Sequence, residues 1–366
     1  MKKDARRPGR PERGARLDHA VTVGDAQCLR SMPTGVFTYS NPRSILWGPG
    51  SVAQLGAEVQ RPEAGRVGLV TTRSLLPSVE RLPLQPAATV VIGQHAPMSQ
   101  IDAGVEAASS TGVDAIVSFG GGSAIDATKI ISVRLARGDG RAVPHIAIPT
   151  TLSVAELAAG AGYTNEDGDK AGMRDPRLMP QTVIYDAELA LATPMQLWLS
   201  TGIRALDHAV EGFLAESEHP FNDVMSLEAI RRLFDSLPRA KASPENVDVR
   251  TENQLAAWFS FTLPGASAAG LSHTMGKQIG ARHGIPHGVT SCLLLPHVMR
   301  YLAPRMPGRF AALPSADDVH RLIESLGLPQ HIAAYGIGEP ELRRAAGELA
   351  GKYPADELLA VYLAAL

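Results

Sequence analysis

The chain has 366 residues, which is enough for two domains of ordinary size. Its 45% hydrophobic and 20% charged residues are typical of a globular protein. Lys and Arg (35) nearly balance Asp and Glu (37), which argues against a general nucleic-acid or membrane surface. Cys28 and Cys292 form no spaced motif, so neither a zinc cluster nor a disulfide framework is predicted, and a reducing cytoplasm is expected.

The first 33 residues differ from the rest of the chain. They are rich in Arg, Pro and Gly ("MKKDARRPGRPERGAR") and lack the apolar run of a secretory signal. This composition predicts a flexible basic tail over residues 1–33. No run of 18 apolar residues occurs in the sequence, so no membrane-spanning helix is predicted.

Residues 34–186 alternate short β-rich runs with segments of helical length. This alternation predicts a mostly parallel sheet with crossover helices. Ligands of such sheets bind beyond the carboxyl ends of the strands. The runs are "VGLVTT" (67–72), "ATVVIG" (88–93), "AIVSFGGG" (115–122), "HIAIPTT" (145–151) and "TVIYD" (182–186).

The first cofactor signal is "IVSFGGGSAIDATK", in which a buried-strand pattern runs directly into a helix. Gly120, Gly121 and Gly122 allow the backbone to approach a ligand closely. Ser123 and the helix N-terminus offer hydrogen-bond donors to a pyrophosphate, and Asp126 lies in the first turns of the helix. Three glycines alone are equally compatible with a tight turn that binds nothing.

The second cofactor signal is "IPTT", where Thr150 and Thr151 end the next predicted strand. Their hydroxyls would lie at the same edge of the sheet as the glycines and contact phosphate or nicotinamide ribose. Alone, such threonines are more often helix caps. Because the two motifs occur in this order, they predict a nucleotide site more strongly than either does separately.

Residues 187–366 favour helix over strand, which predicts an all-α second domain and a substrate cleft between the domains. Within "STGIRALDHAVEGFLAE" (200–216), Arg204 stands four residues before His208, on the same helix face. Asp207 and Glu211 are predicted to lie on other faces of that helix.

A set of motifs along nearly the whole chain beyond the tail resembles the iron-containing (group III) alcohol dehydrogenase family, and within it the maleylacetate reductases. This resemblance implies a dinucleotide-binding, Rossmann-like α/β domain with a parallel sheet, followed by an all-α helical domain in a dehydroquinate synthase-like architecture. It also implies NAD(P) in the cleft and a homodimer. The motifs are "WGPGSV", "GGGSAIDATK", "IPTT", "RDPRLMPQTVIYD", "ALDHAVEG", "SHTMGKQIG", "GIPHG" and "LLPHVMRY".

The resemblance also places residues around the reacting centre. Metal-dependent members of the family hold their ion with one Asp and three His, and the three His match His208, His273 and His287. The Asp position is Arg204 here, and a further family histidine beside the nicotinamide aligns with Lys277. A guanidinium repels a dication, so no metal is expected, as in maleylacetate reductases. Three histidines can still bind Zn²⁺, which leaves a metal-dependent enzyme open.

Further positions bear on the cofactor. Lys170 matches a family lysine near the nucleotide. Thr72 and Arg73 stand where the family often has an Asp that binds the adenosine ribose. Since that carboxylate is missing, a 2′-phosphate is not repelled, and both NADH and NADPH remain candidates. Val154 and Ala155 replace a family Gly-Ser pair.

The function predicted from these residues is metal-independent, NAD(P)H-dependent reduction of a small anionic enone or oxo acid. Arg204 or Lys277 would stabilise the negative charge that develops on oxygen. Lys277 and the three histidines are the candidate general acids. A metal-dependent alcohol dehydrogenase using His208, His273 and His287 is the second interpretation. A non-redox lyase or cyclase, or a pseudoenzyme on the same scaffold, is the third.

Overall fold

The computed structural model describes residues 41–61, 64–136, 138–215, 219–262 and 270–366. The predicted tail (1–33) and Cys28 lie outside these ranges, whereas Cys292 is a buried free thiol. None of the helices in the described ranges has the length and apolar character that a bilayer crossing requires.

The first half of the described chain is built around one six-stranded sheet, and every neighbouring pair in it is parallel. The central strands are buried at every residue, which is why they read as continuous apolar runs rather than as alternating ones. The strand order is β1 (Ser44–Trp47), β8 (Thr182–Tyr185), β5 (His145–Pro149), β4 (Ala115–Gly120), β2 (Val67–Thr71) and β3 (Ala88–Val91).

The sheet reverses its winding direction between β2 and β4. From β2 the chain runs outward to β3 at the sheet edge, then returns to β4 on the other side of β2. Such a switch point opens a crevice beyond the strand ends, and the glycine turn after β4 lies there. The helices of this half are α1 (Leu55–Gln60), α2 (Met98–Ser110) and α3 (Gly122–Arg134), together with the 3₁₀ helices Ser51–Gln54, Arg73–Arg81, Ala155–Leu157 and Pro176–Leu178.

An antiparallel hairpin, β6 (Gly160–Thr164) and β7 (Lys170–Arg174), forms a separate two-stranded sheet. Its glycine-rich first strand has no apolar alternation, and the sequence analysis did not predict it. Lys129 of α3 holds this region through an ammonium that is fully buried. Nζ donates to the carbonyl oxygens of Ala155 (2.6 Å), Ala158 (2.9 Å) and Gly160 (2.6 Å), which accounts for all three of its protons.

After β8 every described element is helical, which confirms the predicted combination of an α/β part and an all-α part. Helix α5 lies at the centre of the helical part, and each of its residues from Trp198 to Phe213 is buried. Its charged residues must therefore find partners inside the protein. The helices are α4 (Ala187–Ala190), α5 (Met195–Phe213), α6 (Pro220–Ala242), α7 (Val247–Phe259), α8 (Leu271–His283), α9 (His287–Leu302), α10 (Pro307–Phe310), α11 (Ala316–Leu326), α12 (Glu339–Leu349) and α13 (Ala355–Ala364), with 3₁₀ helices at Ala303–Arg305 and Ile332–Tyr335.

Two glycines allow α9 to pack closely against its neighbours. A Cβ atom at Gly288 would lie 2.7 Å from the carbonyl oxygen of Ser200 on α5. A Cβ at Gly276 of α8 would lie 2.9 Å from Oγ1 of Thr290. Because His287 directly precedes Gly288, the close helix crossing also fixes where this histidine enters the cleft.

We expect Gly288→Ala to lower the free energy of unfolding by about 1–3 kcal/mol, because backbone atoms of α5 must shift to admit the methyl group. Gly347→Ala is the matched control, since a Cβ there meets nothing within 4 Å. In the exposed interior of α12 it should stabilise by about 0.5–1 kcal/mol. Urea unfolding of both variants measures the difference, and equal stabilities would contradict the close crossing.

Candidate active site

The glycine turn and the two threonines meet at the carboxyl ends of β4 and β5. A Cβ at Gly121 would lie 2.9 Å from Cγ2 of Thr151, so the turn packs directly on that side chain. At Gly120, φ is 156°, and a Cβ there would lie 2.9 Å from that of Ala124. The Thr150 N–H donates to the Gly120 carbonyl (3.0 Å). This bare backbone surface at a helix N-terminus is suited to a pyrophosphate.

Thr72, the residue after β2, lies at the same edge of the sheet. Its methyl group would be 3.8 Å from a Cβ atom at Gly120. The Thr72 hydroxyl lies 3.2 Å from that of Ser74. Among the threonines after β5, the Thr151 hydroxyl donates to Ser153 (3.1 Å), and the Thr150 side chain is buried.

Ser123 and Asp126, both predicted to contact the cofactor, make internal contacts. The Ser123 hydroxyl oxygen accepts the backbone N–H of His95 (2.9 Å) and keeps its own proton for a ligand. Asp126 accepts the backbone N–H of Gly162 (3.0 Å) and lies 3.3 Å from the Lys129 ammonium. Burial raises the pKa of Asp126, and Lys129 opposes that shift. In this structure Asp126 anchors the β6–β7 hairpin.

His95 is a site residue that the sequence analysis missed. It lies in the loop after β3, and its Nδ1 is 2.8 Å from Nζ of Lys170 on β7. The signal available in the sequence is its place two residues after the run "ATVVIG" (88–93), in the loop that follows a predicted strand.

Three helices bring the predicted histidines together. The ring centroid of His273 (α8) lies 6.0 Å from that of His208 (α5) and 6.2 Å from that of His287 (α9). Lys277, one turn after His273 on α8, is exposed. The edge of the His208 ring also packs on Phe261, with 5.1 Å between centroids.

Arg204 is buried beside these histidines, with only 6% of its side chain exposed. Its Nη1 donates to Oδ2 of Asp207 and to the hydroxyl of Ser291, both at 3.0 Å. Asp207 also accepts from the hydroxyls of Ser272 (3.1 Å) and Ser291 (2.6 Å). The prediction that Asp207 lies on another helix face than Arg204 was wrong. Asp207 follows Arg204 by three residues, which is about 60° short of a full helical turn, so the two side chains are neighbours.

Glu211 connects α5 to the start of α8. Its carboxylate accepts the backbone N–H groups of Gly270 (3.0 Å), Ser272 (2.6 Å) and His273 (3.2 Å). It therefore caps the helix that carries His273 and Lys277. Burial, reinforced by the nearby Asp207 carboxylate, raises the pKa of Glu211 well above its ordinary value.

The electrostatics around His287 show how both halves of the chain meet. Desolvation by neighbouring groups lowers its pKa, and the charges of Arg204, Lys170, His95 and Lys277 act in the same direction, although the exposed His287 side chain lets solvent screen those charges. Burial, Arg204 and His287 also depress the pKa of His208. At neutral pH the buried His208 imidazole is therefore uncharged, which disfavours its predicted use as a general acid.

Two family profiles match the chain. That of "Iron-containing alcohol dehydrogenase" matches residues 42–187, and that of "Fe-containing alcohol dehydrogenase family, C-terminal" matches residues 198–353. The chain belongs to this family.

Individual relatives agree with the assignment. The maleylacetate reductase of Rhizobium sp. (strain MTP-10005) is 31% identical over 330 residues, covering 87% of this chain and 92% of the relative. The crystal structure of maleylacetate reductase from Agrobacterium tumefaciens superposes with a TM-score of 0.83 at 28% identity, covering 91% and 99% of the two chains. The protein is thus an oxidoreductase of the iron-containing alcohol dehydrogenase family, a family of NAD(P)-dependent enzymes.

The donor set of this chain fits the family's metal poorly. Arg204, which the sequence resemblance matches to the family's aspartate ligand, is a cation, and its charge lowers the pKa of His208 and His287. Within the described ranges, no three or more His, Cys, Asp or Glu side chains are arranged to hold a metal ion. A dication beside a buried guanidinium would be repelled without a compensating carboxylate at that position.

The pKa of the His287 imidazole should lie below the ordinary histidine value, because desolvation and nearby cations oppose its protonation. NMR titration of histidine-labelled protein measures this directly. Arg204→Gln removes one cation while keeping amide donors for Asp207 and Ser291, and should raise the His287 pKa. A wild-type midpoint near the ordinary value of about 6.5 would contradict the site electrostatics.

Proposed function

We propose that this protein is a metal-independent, NAD(P)H-dependent reductase of a small anionic enone or oxo acid. The observation that carries the proposal is the buried Arg204 guanidinium beside His208, His273 and His287. The maleylacetate reductases among its relatives support an enone of the same class and make maleylacetate the first substrate to test.

The nucleotide would be held at the carboxyl ends of β2, β4 and β5. The turn Gly120–Gly122 would let the pyrophosphate reach the backbone N–H groups at the start of α3. Ser123 keeps a hydroxyl proton to donate. When bound, NAD(P)H supplies a hydride to the substrate. Thr72 contributes no carboxylate beside the adenosine ribose, so we propose that NADPH is accepted as well as NADH.

Arg204 would stabilise the negative charge that reduction places on the substrate oxygen. Both of its hydrogen bonds within the described part of the chain use Nη1. The guanidinium fork has further donors, which suit a carboxylate or an oxyanion. A preorganised cation in a water-poor site performs the electrostatic task of a Lewis acid.

The preference for an anionic substrate follows from the excess of cations around His287. Arg204, Lys170 and Lys277 all contribute positive charge there. An incoming carboxylate would be attracted to this part of the cleft, whereas a neutral alcohol would gain nothing from it. A homodimer in the cytoplasm, with no nucleic-acid or membrane partner, remains a prediction.

We expect wild-type activity to survive strong chelators, and the purified protein to contain no stoichiometric Fe or Zn. Arg204→Gln should lower kcat by about 10²–10³, comparable to the loss of one strong preorganised donor. Arg204→Asp would recreate the one-Asp, three-His set and should bind Zn²⁺ without regaining activity. Steady-state kinetics and elemental analysis measure these outcomes.

The matched control is Arg231→Gln, which removes an exposed guanidinium from α6 and should leave kcat unchanged. One tightly bound divalent ion per wild-type chain, with activity lost to chelators, would refute the metal-independent mechanism. It would support the metal-dependent alcohol dehydrogenase alternative.

Gly121→Val should abolish binding of both NADH and NADPH, because its side chain must displace Thr151 and cover the bare turn. Fluorescence titration measures the affinities. Gly172→Ala is the control: it adds a side chain to β7, where the nearest atom to a Cβ is 3.7 Å away, and should bind like wild type. Unchanged affinity in Gly121→Val would place the nucleotide elsewhere.

A further inference from the structure

His95 and Lys170 form a pair in the α/β part of the chain, next to Ser123 of the glycine turn. Nζ of Lys170 lies 2.8 Å from Nδ1 of His95, and both residues are half-buried. Both are near enough to His287 for their charges to act on its imidazole. The pair therefore lies within electrostatic range of the three-histidine group, on elements of the α/β part of the chain.

The backbone holds His95 in an unfavourable conformation. φ is 63° at His95 and 49° at Ala96, in the left-handed region that residues with a Cβ seldom adopt. Hydrogen bonds on both sides maintain this conformation. The His95 N–H donates to the Ser123 hydroxyl (2.9 Å). From the hairpin, the Thr164 hydroxyl donates to the His95 carbonyl (3.2 Å), and the Thr164 N–H donates to the Ala96 carbonyl (3.3 Å). Strain maintained in this way is typical of functional positions.

Reduction by a hydride also consumes one proton. Arg204 cannot supply it, because a guanidinium does not deprotonate in proteins. Lys277, the other amine predicted near the reacting centre, has an exposed side chain. An amine hydrogen-bonded to an imidazole, by contrast, can lose a proton and regain one from its neighbour.

Resting on the function proposed above, we propose that Lys170 is the proton donor of the reduction and that His95 reprotonates it. The substrate carbon accepts the hydride, and its π electrons move onto the conjugated or carbonyl oxygen, where Arg204 stabilises the charge. An N–H bond of the Lys170 ammonium then breaks, and its proton goes to the substrate anion. The neutral amine recovers a proton through His95 from water, so the pair returns to its initial state.

Lys170→Met keeps the aliphatic stem and removes the amine. It should lower kcat for maleylacetate or pyruvate by about 10²–10³. It should also raise the solvent isotope effect and reduce the primary isotope effect from deuterated nucleotide, because protonation becomes rate-limiting. In Lys170→Ala, added ethylamine should restore part of kcat. A purely structural role would predict neither change.

His95→Asn is the conservative variant, since Asn tolerates positive φ and can still accept from Lys170. It should leave folding intact yet lower kcat at least tenfold, because an amide cannot relay a proton. Arg174→Met is the matched control. It removes a cation from the same strand as Lys170, about 13 Å from it along β7, and should behave like wild type.

A readout independent of turnover comes from ¹⁵N-histidine NMR of the nucleotide-free protein. The Nδ1 resonance of His95 should shift in Lys170→Met and stay in place in Arg174→Met. If Lys170→Met weakens only NAD(P)H affinity and keeps its kcat at saturation, the lysine binds nucleotide and the proposal is overturned. If the wild-type protein reduces neither maleylacetate nor pyruvate nor any other enone or oxo acid, the proposed function itself is wrong, and the proton-donor proposal that rests on it is overturned as well.

Discussion

The buried contact between Arg204 and Asp207 is the interaction on which the site depends. Asp207 gathers the Arg204 guanidinium and the hydroxyls of Ser272 and Ser291, which come from three different helices. Removing either charged partner would leave the other buried and uncompensated, at a cost of about 3–5 kcal/mol. The packing of α5, α8 and α9 therefore depends on a cation at position 204. The positions of the three histidines on those helices depend on the same packing.

The parts of the fold that could be predicted are those in which local chemistry and tertiary structure agree. Buried parallel strands read as apolar runs, and the glycine turn marks the passage from β4 to α3. The β6–β7 hairpin could not be predicted, because Lys129 and Asp126 on α3 hold it and its own sequence carries no strand pattern. Long-range contacts of this kind leave no periodic signal in the sequence.

The candidate site could likewise be predicted from the sequence only in part. Helical spacing alone places Arg204 and His208 one turn apart, and the structure adds His273 and His287 from other helices. What spacing could not show is where the side chains turn: Asp207 turns toward Arg204, and Glu211 caps α8. His95 was missed because a single histidine after a strand is unremarkable until Lys170 lies beside it.

Lys129 has a consequence for how the chain can change during evolution. Besides the Asp126 carboxylate on its own helix, its ammonium binds three main-chain oxygens of the segment it holds, at Ala155, Ala158 and Gly160. Main-chain oxygens are present whatever side chain a position carries, so the acceptors survive substitution there. Replacement of Lys129 itself would remove one donor from each of these three carbonyls, of which that of Ala155 would still accept the Ala158 N–H (3.2 Å). The half-buried positions of this segment can thus change side chain without loss of the Lys129 contacts, whereas Leu157 and Glu156 are buried, and Glu156 accepts a hydrogen bond from the Tyr185 hydroxyl (2.8 Å).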